Sequence, residues 1–230
     1  MKVRAFWGPR LESYADCASK LARLIPAINN GLCDDEAWLE NDGAPVDPAP
    51  EVIGRYMDQY ISEVTGKPFD DRGWCAFFHR GSGVFSTLRL QCGASSWTGN
   101  SLILLFPDDL PYNFQTISQL IIEIQSIYDP NVITASSAEG LHRNAESGQP
   151  SPVVDWMVYL ANTLIPAEEL PMVHSVERVG SGTLVILKKE PINLEKPEDL
   201  ALVEAVEPVI RRHQPDLEMK PPPRRPRQAQ

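Results

Sequence analysis

The chain has 230 residues, 43% of them apolar, and a net charge of −10. A chain of this length buries about 70% of the surface that it exposes when unfolded, so it needs neither a metal nor a disulfide to fold. The four cysteines are spread along the chain without C-x-x-C spacing, which argues against a zinc knuckle or a dithiol redox motif.

The charge is distributed unevenly. Residues 211–230 carry six Lys and Arg against two Asp and Glu, so residues 1–210 hold a net charge of −14. Such a body repels phosphate backbones, which disfavours direct nucleic-acid binding. It attracts a basic protein partner. The alternative interpretation is that the negative charge only keeps the protein soluble.

No signal sequence or membrane segment is visible. A basic and apolar leader does not precede Val3, and no apolar run approaches the length of about 18 residues that a membrane helix needs. We therefore expect a cytoplasmic protein with no membrane partner, no metal and no cofactor, whose cysteines stay reduced.

The first predicted elements are a strand and a helix. Residues 2–8 (KVRAFWG) have the composition of a short strand. Ser13 with Asp16 three residues later resembles a capping box, and apolar residues then recur at three- and four-residue steps as far as residue 28. Pro26 is expected to kink or end this helix.

An acidic, proline-rich loop is predicted at residues 33–50, before a second amphipathic helix at 52–64. Runs of strand-forming residues follow at 74–79, 84–92 and 101–106. The last of these is apolar throughout, which is typical of a central strand that is covered on both faces.

The second half of the chain continues the alternation of helix and strand. The pattern predicts a helix at 114–128, short strands at 131–136 and 156–161, a hairpin whose strands at 173–179 and 183–188 flank a Gly-Ser-Gly turn, and a last helix at 197–212. The sequence therefore predicts a single α+β domain over residues 1–213, with a mainly antiparallel or mixed sheet packed by three to four helices. Residues 214–230 are rich in Pro and Arg and are expected to be a disordered basic tail.

Motifs for catalysis are scarce. The strings GASSW and GSGTL do not fit a nucleophile elbow, and the strand that ends at Lys188 lacks the acid that a metal-dependent nuclease would place two residues earlier.

Cys75 and His79 are four residues apart on one face of a predicted strand, so they could form a nucleophile pair or half a metal site. A buried cysteine beside a hydrogen-bonded histidine is the alternative. A small hydrolase or transferase that uses these two residues is the alternative function.

The acidic loop contains one unusual segment, Asp34-Asp35-Glu36-Ala37-Trp38-Leu39-Glu40. A tryptophan surrounded by carboxylates suits the anchor and rim of a surface that binds a basic partner. We expect Asp34, Asp35, Glu36, Trp38 and Glu40 to be the residues that bind such a partner. The alternative is a solvated loop whose tryptophan folds back onto the core.

Two stretches resemble a known family. Trp7-Gly8, Arg10, Glu12-Ser13 and then Cys17-Ala18 resemble the opening signature of the immunity protein 52 family of bacterial polymorphic toxin systems. The segment Gly180-Ser181-Gly182-Thr183-Leu184-Val185, followed by Pro197 and a closing helix, resembles the C-terminal hairpin and helix of that family. The resemblance covers roughly the first 25 residues and residues 173–212.

The resemblance implies a protein that is not an enzyme and that neutralises a cognate toxin by binding it. Such toxins are often nucleases that competing bacteria deliver into one another. A nuclease needs a basic groove for phosphates, which an acidic inhibitor can mimic, so the implied partner is a basic nuclease domain encoded by the neighbouring gene.

The signature residues Trp7, Gly8, Arg10, Glu12 and Ser13 admit two roles. We expect them to brace the junction between the first strand and the first helix, with an ion pair from the arginine to Glu12 or to Asp16. Direct contact with the toxin is the alternative.

Overall fold

The computed structural model describes residues 1–32, 37–40, 43–59, 73–80, 86–94, 100–107, 113–137, 139–140, 143 and 154–214. The statements below concern these residues. The basic tail predicted beyond residue 214 lies outside them, as do Asp34, Asp35 and Glu36.

A nine-stranded sheet forms the centre of the molecule, and all of its pairings are antiparallel. The strands are β1 (Lys2–Trp7), β2 (Asp58–Gln59), β3 (Trp74–Arg80), β4 (Ser86–Cys92), β5 (Asn100–Leu105), β6 (Val132–Ser136), β7 (Met157–Leu160), β8 (Ser175–Val179) and β9 (Gly182–Ile186). Their order across the sheet is β2-β3-β4-β5-β1-β6-β7-β9-β8. The first strand of the chain is therefore the middle strand of the sheet.

Three α-helices are described: α1 (Tyr14–Leu32), α2 (Phe114–Tyr128) and α3 (Pro197–His213). Short 3-10 helices span Ile53–Tyr56 and Ala167–Glu169. The predicted α+β class, with an antiparallel sheet and three helices, is thus confirmed. The side chain of Asn113 accepts a hydrogen bond from the backbone of Thr116 at the start of α2, which is an ordinary N-cap.

One prediction about a helix was wrong. In the described part of the helix predicted at 52–64, residues 53–56 form a 3-10 helix, and the backbone of Asp58 and Gln59 pairs with the edge of β3 instead of continuing a turn; residues 60–64 lie outside the described part. Pro26 was predicted to kink or end α1; it does not end the helix, which continues to Leu32, and the kink stays a prediction. The proline is exposed, while buried Ile25 and Ile28 hold the helix to the core on both sides of it.

One face of the sheet is buried from β3 to β9, that is, between the edge strands β2 and β8. In β1 this face carries Val3, Ala5 and Trp7, which alternate with half-buried residues. Helices α1 and α2 contribute the buried residues Leu21, Leu24, Ile121 and Ile124 to the same hydrophobic core. We call this the helix face.

The opposite face differs between the two halves of the sheet. In the C-terminal half, β6, β7 and β9 are buried at every position, so both of their faces are covered. In the N-terminal half, β3, β4, β5 and β1 alternate between buried residues and residues that reach solvent. We call the surface that these four strands turn away from α1 and α2 the open face.

Candidate functional site

The signature turn after β1 joins four elements of the fold. Trp7 is 1% exposed, and its ring centroid lies 5.1 Å from that of Tyr128 at the end of α2. The backbone N–H of Gly8 donates to Oδ1 of Asn131 at 3.0 Å, and its carbonyl accepts from Nδ2 of Asn100 at 2.9 Å. The turn therefore ties β1 to β5, to α2 and to the start of β6.

Arg10 binds the carboxyl end of α2. Its guanidinium donates to the carbonyl oxygens of Tyr128 at 2.7 Å and of Asp129 at 3.0 Å. Asp129 is the C-cap of α2 and has a left-handed backbone, with φ at 46°. A cation is favourable at this end of a helix because unpaired carbonyl groups concentrate negative charge there.

Glu12 and Ser13 fix the start of α1. The carboxylate of Glu12 is nearly buried, forms an ion pair with Lys20, and lies 3.9 Å from a guanidinium nitrogen of Arg10. The hydroxyl of Ser13 accepts from the backbone N–H of Asp16 at 3.1 Å and donates to the Asp16 carboxylate at 2.7 Å. These contacts support the bracing role that we expect for the signature.

Two buried thiols lie beside this turn. Cys17 and Cys92 are both inaccessible to solvent, and the Cys17 thiol points to the Glu12 carboxylate at 3.7 Å. A hydrogen bond with Cys17, together with burial, raises the pKa of Cys92. A protonated, buried thiol behaves as a small apolar side chain.

The described part of the acidic segment lies at the edge of β3. Leu39 and His79 exchange backbone hydrogen bonds of 2.7 and 3.0 Å. Trp38 is 2% exposed, donates from Nε1 to Asn29 of α1 at 3.0 Å, and has the Arg80 guanidinium 5.0 Å from its ring centroid. The ring is part of the core, which is what the alternative interpretation predicts, and the toxin contact of this segment stays a prediction.

Cys75 and His79 lie on one face of β3 but do not form a pair. Four residues along a strand span about 13 Å, and Phe77 lies between the two on the same face. The thiol of Cys75 donates to the carbonyl of Asp58 at 3.3 Å. Burial, with a contribution from the Asp58 charge, raises the pKa of Cys75, which is the opposite of what a thiolate nucleophile needs.

The open face is laid out in rows that follow from the strand register. Phe77 on β3 is opposite Arg89 on β4, which is opposite Ile103 on β5, which is opposite Arg4 on β1. This central row alternates apolar and cationic residues. Because neighbouring strands are about 4.8 Å apart, the Cα atoms of the two arginines are separated by about 10 Å.

The rows on either side contain aromatic, aliphatic and polar side chains. One row contains Cys75, Gln91, Ser101 and Phe6, and the other contains His79, Thr87, Leu105 and Lys2. Phe77 is 39% and Leu105 36% exposed, and Arg89 is exposed. A hollow of about 360 Å³ lies between β3, β4 and β5 on this face.

The cations of the open face contact aromatic rings. The guanidinium carbon of Arg4 lies 4.8 Å from the Phe6 ring centroid, and that of Arg89 lies 5.9 Å from Phe77. Burial and then the charges of Arg4 and Arg89 lower the pKa of Lys2. The three cations therefore share one positive field. Sequence reasoning did not select these residues, although their alternation with buried residues is visible in KVRAFW and STLRLQC.

Neither a metal centre nor a membrane helix is found in the described part of the chain. No three His, Cys, Asp or Glu side chains lie close enough there to hold a metal ion. None of the described helices combines the length and the apolar character required to cross a membrane.

A family model and a solved structure are similar to this chain. The family model for Immunity protein 52 matches residues 114–214, a range that includes the C-terminal hairpin and helix but not the N-terminal signature. The Pseudomonas aeruginosa T6SS protein PA0821 superposes with a TM-score of 0.57 at 14% identity, over 93% of this chain and 72% of that one, which shows a shared fold. No curated protein sequence matches this chain. The family match confirms that this chain resembles the immunity protein 52 family, as its sequence motifs predict.

Proposed function

We propose that this protein is an immunity protein, which binds a cognate bacterial toxin and neutralises it. The observation that carries the proposal is the Immunity protein 52 match over residues 114–214, the part of the chain that contains α2, α3 and four strands of the sheet. The shared fold with a T6SS protein of Pseudomonas aeruginosa agrees with it. The implied setting is competition between bacterial cells.

Within this function, we propose a nuclease as the toxin. Residues 1–210 have a net charge of −14, and a nuclease carries a basic groove for the phosphates of its substrate. Complementary charge accelerates association of two proteins and discriminates against wrong partners. The carboxylates of Asp34, Asp35, Glu36 and Glu40 are the proposed acidic contact, with the toxin bound in the cytoplasm of the producing cell.

The geometry gives the alternative enzymatic function little support. Cys75 and His79 are too far apart to transfer a proton directly between them, and the Cys75 thiol is held in its protonated form. We expect Cys75→Ser to keep the protective activity, because serine preserves the size of the side chain and the hydrogen bond to Asp58.

Co-expression with the product of the neighbouring gene tests the proposal. The toxin domain expressed alone should stop growth and degrade nucleic acid, and the chain described here should restore growth and co-purify with the toxin. If the two proteins form a stable complex but the free toxin has no nuclease activity, the immunity function stands and the proposal that the toxin is a nuclease is rejected. Failure of the two proteins to associate, with no restored growth, would reject the immunity function itself.

A further inference from the structure

We propose that the open face is a toxin-binding surface, and that the toxin presents carboxylates beside apolar side chains to it. This inference rests on the immunity function proposed above and extends it by naming the contact surface. The acidic segment would bind basic groups of the toxin, whereas the open face would bind a patch of the opposite sign. The two surfaces adjoin at β3, where Leu39 pairs with His79.

The first argument is the uneven covering of the sheet. On this side, β6, β7 and β9 are buried at all positions, whereas β3, β4, β5 and β1 are not. Large side chains remain accessible there, including Phe77 on β3 and Leu105 on β5. Exposed apolar groups that lie together, with polar groups among them, are characteristic of interaction surfaces.

The second argument is charge complementarity. Lys2, Arg4 and Arg89 crowd one surface, and their mutual repulsion is relieved when an anion binds between them. Asp58 and Arg89 are the described charged residues that line the hollow on this face, and Lys2 and Arg4 on β1 add two further cations to the face. Arginine beside an aromatic ring is a frequent anchor in protein interfaces because it offers both an apolar plane and a fork of donors to a carboxylate.

The third argument is a set of polar atoms without partners around Arg4. Among the described residues, Nε of Arg4 and the hydroxyl oxygens of Thr87, Thr134 and Ser136 are buried and make no hydrogen bond within the protein. Thr134 pairs with Arg4, and Ser136 with Lys2, across β1 and β6. Both residues are at least 99% buried. A bound partner cannot reach these covered hydroxyl groups, so the donors available to its carboxylates are those of the half-buried Lys2 and Arg4 and the exposed Arg89.

Charge also favours the toxin over a second copy of this chain or nucleic acid as the molecule that binds the open face. A second copy of this chain would bring the same three cations together, which costs free energy. Nucleic acid would meet the surrounding body, whose net charge is −14 and which repels phosphates. A toxin surface that offers carboxylates to the open face is attracted there and can meet the acidic segment with its basic groups.

Charge reversal on the open face is the direct test. Arg89→Glu changes an exposed residue, and Arg4→Met removes a charge while it keeps the apolar stem. Arg178→Glu on β8 is the matched control, because Arg178 is an exposed strand arginine outside the open face. Binding to the purified product of the neighbouring gene should weaken about tenfold for Arg89→Glu, weaken for Arg4→Met, and stay within about twofold of the parent for the control.

Chemical labelling gives a second test that needs no charge variant. Cys75 is partly accessible beside the hollow, whereas Cys17 and Cys92 are buried. In a Cys33→Ser background, a maleimide should modify Cys75, and bound toxin should slow that reaction at least about fivefold if the covered surface excludes solvent.

The outcomes separate the two proposals. If the parent does not bind the toxin, both the immunity function and this surface are rejected. If the parent binds while Arg89→Glu and Arg4→Met, folded with the parent melting temperature, bind equally well and Cys75 stays reactive, only the surface is rejected. Loss of self-association or of oligonucleotide binding in Arg89→Glu, without loss of toxin binding, would assign the face to a second copy or to nucleic acid.

Discussion

Arg10 donates a hydrogen bond of 2.7 Å to the carbonyl oxygen of Tyr128, which is 118 residues away in the sequence. The turn after the first strand is thereby fastened to the end of α2. Because Trp7 packs on the ring of the same tyrosine, side-chain packing and a charged hydrogen bond act on one residue. These contacts agree with the bracing role that we expect for the N-terminal signature.

Arg10→Ala should lower the free energy of unfolding by about 1–2 kcal/mol, because two charge-assisted hydrogen bonds to a helix end are lost at a partly exposed position. Urea denaturation measures the change. Arg55→Ala is the control, since Arg55 is an exposed arginine in a 3-10 helix. If the Arg10 variant is as stable as the parent but binds the toxin more weakly, Arg10 contacts the toxin and does not stabilise the fold.

Trp38→Ala should destabilise the fold by about 3–5 kcal/mol, as expected for a large aromatic side chain removed from a core. Trp38→Phe keeps most of the ring volume and loses the hydrogen bond to Asn29, so it should cost about 1–2 kcal/mol. Thermal and urea unfolding measure both effects. A Trp38→Phe protein that unfolds like the parent but dissociates faster from the toxin would show that the ring is an anchor for the partner.

Neutralising the acidic segment should slow the association with the toxin and leave the fold unchanged. The variant combines Asp34→Asn, Asp35→Asn, Glu36→Gln and Glu40→Gln. Steering by these charges is strong at low ionic strength and is screened by salt, so binding kinetics should be recorded at low and high salt.

The control for that experiment neutralises four exposed carboxylates around α3: Glu190, Glu195, Glu198 and Glu204. It changes the net charge by the same amount at a different place. An equal loss of association rate in both variants would attribute the steering to net charge alone. If the variant of the acidic segment associates at low salt as fast as the parent, the acidic segment is not part of the interface.

Asp155 should make the stability depend on pH below neutrality. Its Oδ2 accepts from the backbone N–H and the hydroxyl of Ser137, both at 2.7 Å, and its burial raises the pKa to about 6 from 3.8. The folded state therefore favours the neutral acid. The stabilisation from this group is present at low pH and is lost as the pH rises through about 6.

The measurement compares the parent with Asp155→Asn. Between pH 7 and about pH 4, the parent should gain up to about 3 kcal/mol from this group relative to the variant, which has no proton to bind. Urea denaturation at several pH values gives the difference, and other titrating groups cancel in it. The same pH dependence in both proteins would show that Asp155 is ionised in the folded state.

Local patterns predicted most elements of the fold. The bounds of α2 at Phe114 and Tyr128 agree with the prediction because Asn113 and the Asp129-Pro130 pair mark its ends in the sequence. The strands were visible from their strand-forming residues. The prediction that the strand at 101–106 is covered on both faces was wrong, because β5 alternates between buried and more accessible residues. The helix predicted at 52–64 was wrong because pairing with β3 outweighs local spacing. Tertiary contacts therefore outweighed the local helical spacing in this element.

The candidate surface was harder to predict. Arg4 and Arg89 occupy ordinary outward positions of their strands, and any one-sided sheet has such residues. They lie close together because a single strand, β5, stands between β4 and β1 in the sheet. No local sequence pattern encodes this strand order. The burial of Trp38 could not be predicted for the same reason, since its partners Asn29 and Arg80 lie on two distant elements.

The central position of β1 has a consequence for biosynthesis. Among the described strands β1 is synthesised before the others, yet its partners β5 and β6 end only at residues 105 and 136. Until then β1 is unpaired with its apolar residues Val3, Ala5 and Trp7, and pairings so distant in sequence close slowly. In a producing cell, protection would begin only when this late step is complete. Synthesis of the immunity protein would therefore have to run ahead of the toxin by at least its own folding time.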